Sequence, residues 1–159
     1  MMVSTLRAAG TGVPQQATEQ DRPAPRVAPT VLSLLEAARR GLAEASAETA
    51  PGTRYIGAHL AALRAAAAVV AARGEPATRR RKPRSVWELL PQVEPTLAEW
   101  AAFFAASASK RAAAEAGLPR AASAHEAEDL LRDAETFVAV AERALGVAGQ
   151  ALLPLRPAS

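Results

Sequence analysis

The chain has 159 residues, half of them apolar but only 4% aromatic, with a formal net charge of +3 and a pI near 10.2. That length allows one domain around one hydrophobic core. The absence of Cys excludes disulfides, thiolate metal ligation and a Cys nucleophile, and a charge this small does not by itself mark a nucleic-acid binder.

Much of the apolar content is alanine, the strongest helix former and a side chain that lets helices pack closely. Lysine occurs only at positions 82 and 110, every other basic residue being arginine, a bias that suits a GC-rich genome. The first residues are too polar and too interrupted for the apolar run of a secretory leader. The strongest apolar run, Ala65–Ala72, is far short of the roughly 20 residues that span a bilayer. A cytoplasmic protein without a membrane contact is expected.

Residues 1–29 hold Pro14, Pro23, Pro25 and Pro29 among polar residues without period, the composition of a disordered arm. A first helix is expected from Thr30 as N-cap, with the stripe Val31, Leu34, Leu35, Ala38, Leu42 and Ala45, ended by Pro51–Gly52. A second runs from about Thr53 to Arg73, stopped by Gly74 and Pro76. Its Ile56, Leu60, Leu63, Ala67 and Val70 make a heptad-like seam, with Tyr55 and His59 on the flank.

The segment Gly74–Arg84 carries Arg79, Arg80, Arg81, Lys82 and Arg84 together with two prolines, and like-charge repulsion also opposes regular structure there. A solvated linker is the plainer reading. These five cations are also the candidate nucleic-acid contacts, since flexible basic residues bind phosphate backbones, although Trp87 is the one aromatic near enough to stack a base.

A capping pattern at Ser85 and Glu88 opens a short helix limited by Pro91 and Pro95. A third long helix is expected over Thr96–Ala116, with Leu97, Trp100, Phe104, Ala108 and Arg111 on one face and Phe103 on its shoulder. Gly117 and Pro119 close it. The last helix opens with the capping box Ser123-x-x-Glu126 and carries Ala127, Leu130, Leu131, Ala134, Phe137, Val138, Ala141 and Leu145 to a stop at Gly146. Residues 147–159 read as a tail. Four long helices with short first and last connections predict an all-α, up-and-down four-helix bundle over residues 30–146.

Arg120 and His125 frame the start of the last helix in an R-x4-H spacing. His125 lies roughly opposite the apolar stripe, at a helix end where free N–H groups and the dipole favour an anion. A proton carrier and a fixed cation at one phosphate are the minimum for metal-free phosphodiester cleavage. The same residues also read as an ordinary surface His beside acids and an ordinary loop Arg. No cofactor is expected, and the two histidines lack the carboxylate spacing of a metal site.

The segments RYIGAHLAALRAAAA (54–68), PRSVWELLPQVEPTLAEWAAFFA (83–105) and SAHEAEDLLRDAETF (123–137) resemble the HEPN superfamily, most of all a small alanine-rich branch from high-GC bacteria. The resemblance implies a four-helix bundle that commonly dimerises. Its active members are metal-independent ribonucleases with an R-x4-6-H motif near the start of the last helix. Arg120 would then stabilise phosphate and His125 would act as acid or base. Two departures stand out: Ala121 occupies the place where active members carry a polar residue, and Pro119 puts Arg120 in a turn. Many HEPN proteins bind RNA or a partner without cutting. The expectation is therefore a homodimeric RNA- or partner-binding regulatory module of weak or no catalysis. The alternatives are an endoribonuclease using Arg120 and His125, and a purely structural partner subunit.

Overall fold

In the computed structural model, residues 27–74 and 84–147 are described. They are all-α: α1 (Pro29–Ala47), α2 (Pro51–Arg73), a short α3 (Val86–Val93), a single 3-10 turn (Pro95–Leu97), α4 (Ala98–Glu115) and α5 (Ala124–Ala144). The run Arg79–Lys82, most of the N-terminal arm and residues 148–159 lie outside the described residues.

The helix boundaries correct the sequence reading at two prolines. Ala28 is the N-cap of α1 and offers no side-chain bond, so Thr30 does not cap it. Pro29 starts the helix, because its fixed φ and missing N–H suit the first helical position. Pro51 likewise begins α2 and does not end α1. What closes α1 is Arg54, reaching back from α2: its Nε donates to Ala45 O at 3.2 Å and Glu48 O at 3.0 Å. The end carbonyls are satisfied by a side chain from the next helix. At α3, Ser85 Oγ accepts from Glu88 N at 3.3 Å, the Ser85 half of the expected box.

α2 is the central helix, packed against α1, α3, α4 and α5. Of the expected seam only Val70 is buried. Ile56, Leu60 and Leu63 are only half-buried, while Ala58, Ala61, Ala62, Ala65, Ala66 and Ala68 are fully buried. A helix enclosed on several sides comes closest to its neighbours through its smallest side chains, so the larger ones move to the flanks. The approach to α1 is close at Gly57, where an added Cβ would stand 3.1 Å from Ala45 Cβ. By length and composition α2 could cross a membrane. Yet 56% of its most apolar window is buried inside the bundle, as for a core helix.

The stripes of α1 and α5 lie as expected, with Leu34 and Leu145 half-buried at their edges. The large side chains gather where α3 and α4 meet α2 and α5. Trp87 and Trp100 stack on Phe104, at ring distances of 5.2 and 6.1 Å, and Phe137 closes the cluster 5.2 Å from Phe104. These rings stand between α4 and α5, whose backbones approach each other little although they are consecutive in the chain.

Three polar residues, His59, Ser107 and Glu142, are buried among the helices. His59, read from sequence as a flank residue beside Tyr55, is fully buried and bonds instead to Ser107 on α4. Glu142 of α5 is 1% exposed and forms an ion pair with Arg39 of α1. The fold brings together residues 103 positions apart, a pairing with no local sequence signal.

Candidate functional site

The α4–α5 connection is built by three local devices in succession. Gly117, at φ +73°, ends α4 in a Schellman arrangement, with Leu118 N donating to Ala113 O and Gly117 N to Ala114 O. A β-turn follows, closed by Ala121 N to Leu118 O at 3.2 Å. Pro119 and Arg120 are its central residues, and Arg120 has φ +71°. That is the type II geometry, whose third position favours Gly because a side chain there crowds the backbone. Ala122 then turns inward, buried, and Ser123 starts α5.

The capping box expected at Ser123 is complete. Ser123 Oγ accepts from Glu126 N at 3.0 Å, and Ser123 N donates to Glu126 Oε1 at 3.1 Å. Glu126 also forms an ion pair with Lys110 of α4. The positive end of α5 therefore already holds a carboxylate with its own countercation.

Arg120 and His125 both flank this helix end, but they face different surroundings. Arg120 lines a concavity of about 660 Å³ between the α1–α2 turn, residues 50–53, and the α4–α5 connection. His125 is not among its lining residues. Its side chain is 85% exposed, and its Nε2 lies 3.2 Å from Asp129 Oδ2, one turn along α5. Ala121 leaves the position after Arg120 without a polar group.

Of the candidate nucleic-acid contacts, Arg84 is half-buried just before α3, and Arg79, Arg80, Arg81 and Lys82 lie outside the described residues. Among the described residues no group of three or more His, Asp or Glu is placed to hold a metal ion.

Sequence reasoning missed the polar network beneath the aromatic cluster. His59 Nδ1 is 2.8 Å from Ser107 Oγ, and the His59 ring meets Trp87 edge-on at 5.8 Å. Burial, with the Arg111 guanidinium acting in the same direction, lowers the His59 pKa to about 4. Ser107 sits in an Ala-Ser-Ala-Ser run that gives no hint of a buried partner.

A protein-family model described as SAV_6107-like HEPN matches residues 45–142. No curated protein and no solved structure gives a significant match.

Proposed function

Because the chain belongs to the SAV_6107-like HEPN family, we propose that it is a regulatory binding module that holds RNA or a protein partner and cuts RNA weakly or not at all. One observation carries this reading: the helix end that cleavage would use is flanked by the protein's own acids. Glu126 accepts the Ser123 N–H where α5 begins, Ser123 Oγ accepts the Glu126 N–H, and Asp129 faces His125. A phosphate arriving there meets two carboxylates at close range before it meets the helix dipole.

Arg120 supports the same reading. It occupies a turn position that disfavours any side chain, and it faces a concavity that His125 does not line. Efficient general acid–base catalysis needs both groups within bonding reach of one phosphate. Homodimerisation and cytoplasmic residence belong to the same proposal. An alanine-dominated core buries little apolar area per residue, so contact between subunits would add stability. No cofactor enters it.

The test is a single-stranded RNA incubated in EDTA with the wild type, Arg120→Ala and His125→Ala. The expected result is no cleavage above background in any of the three. EDTA-resistant cleavage by the wild type that both substitutions abolish would overturn the proposal and establish the endoribonuclease.

A further inference from the structure

Between α4 and α5 the surface carries a second concavity, a groove of about 430 Å³. Its walls come from α4 and α5, with Tyr55 of α2 also lining it. Phe103 stands on the α4 wall, 44% exposed, an unusual position for one of only three phenylalanines in the chain. Tyr55 and Leu130 are buried at its base. The α5 wall bears Asp129 and Asp133, one helical turn apart.

The charges in this groove are unbalanced. Lys110 is the cation that lines it, and Lys110 is already paired with Glu126. Asp129 faces only His125, and Asp133 has no ion-pair partner among the described residues. Burial, and then the charge of Asp129, raise the Asp133 pKa, with Arg132 opposing. The groove thus presents an exposed aromatic ring and two carboxylates, Asp129 paired with His125 and Asp133 without an ion-pair partner among the described residues.

We propose that this groove docks an arginine-bearing segment of a protein partner, one guanidinium lying against the Phe103 ring and forking onto Asp133 with Asp129 beside it. Arginine fits both walls at once, because its planar cation stacks on aromatic faces and binds carboxylates through two parallel N–H groups. Lysine can satisfy the charge but not the fork. RNA is disfavoured because its phosphates would meet the same carboxylates. A second copy in a two-fold contact is disfavoured as well, since such an interface brings two patches with the same excess of carboxylates together. This inference rests on the partner-binding side of the proposed function and names the chemistry of that partner.

The experiment is fluorescence anisotropy of the full chain with a labelled alanine–glutamine helical peptide carrying two arginines one turn apart. Peptides with glutamate or lysine at those places, and a single-stranded oligouridylate, serve as comparisons. The arginine peptide is expected to bind best, the glutamate peptide not at all. Asp133→Asn and Phe103→Ala should each weaken the arginine peptide roughly tenfold, with helical circular dichroism unchanged. Failure of the arginine peptide to bind, equal binding of the glutamate peptide, or indifference to both substitutions would overturn the proposal. So would competition by oligouridylate, which makes the groove an RNA site. Sedimentation showing that Phe103→Ala dissolves a homodimer, without peptide binding, would give the groove to a second copy. The RNA cleavage assay reads Arg120 and His125 alone, so either proposal can fail while the other stands.

Discussion

Ser107 Oγ donates its hydrogen to the carbonyl of Phe104 at 2.8 Å, so at 2.8 Å from His59 Nδ1 it accepts one. The imidazole therefore carries its hydrogen on Nδ1 and turns an Nε2 lone pair into a core where no donor among the described residues meets it. A proton added there would bring a charge and a hydrogen with nowhere to go.

This predicts a pH dependence of stability. The folded pKa of His59 is about 4, below the ordinary 6.5, so between those values the unfolded chain binds more protons than the folded one. Stability is full above the ordinary value and declines as pH falls from 6.5 towards 4. Urea midpoints measured at pH 7.5 and pH 5 should differ in this direction, and His59→Gln, which keeps a donor for Ser107, should shrink the difference. An equal difference in the variant would assign it to other groups.

The pair between Arg39 and Glu142 should respond asymmetrically. Arg39 is 29% exposed and Glu142 1% exposed, and Glu142 Oε2 has no partner. Arg39→Met strands a buried carboxylate and should cost about 3 kcal/mol, whereas Arg39→Met with Glu142→Met should recover most of that loss. Equilibrium unfolding of both variants checks it; additive losses would count against the pair.

Glycines in α2 should divide by the space around them. Gly52→Ala meets only Ala114 Cβ at 3.8 Å, so replacing a helical glycine there should gain about 0.5 kcal/mol or more. Gly57→Val drives its branches into Ala45 and should lose about 2 kcal/mol. Thermal unfolding of the two proteins should move in opposite directions.

Arg120 offers a test of strain at the candidate site. Its φ of +71° costs any L residue but not glycine. Arg120→Gly should therefore be about 1 kcal/mol more stable than Arg120→Ala, although both remove the same guanidinium. Identical unfolding midpoints would show that the turn relaxes without its arginine.

The elements that sequence placed well are those with strong local signals. The α5 stripe and its capping box, the α1 stripe, and the stops at Gly74, Gly117 and Gly146 all depend on residues a few positions apart. Pro29 and Pro51 are ambiguous in sequence because a proline can precede or open a helix, and only the neighbouring packing decides which. In α2 the heptad pattern pointed to Ile56, Leu60 and Leu63, yet enclosure by several helices favoured alanine at the centre.

At the candidate site, the spacing of Arg120 and His125 was plain, but their surroundings were not. The positive φ at Arg120 and the separate settings of the two side chains come from the turn that Pro119 starts. Ser107 and Arg39 could not be matched with His59 and Glu142, because each contact joins distant parts of the chain.

The six fully buried alanines of α2 have a consequence for how this domain can change over generations. A leucine core drifts both ways, some positions shrinking while others swell to compensate. Here each position already stands one methyl group above glycine, so almost every coding change there enlarges it. Neighbouring helices must then give way, because the interior has no spare volume to trade. Divergence among relatives should accordingly be borne by α1, α4 and the aromatic cluster, with α2 acting as the fixed gauge that sets their spacing.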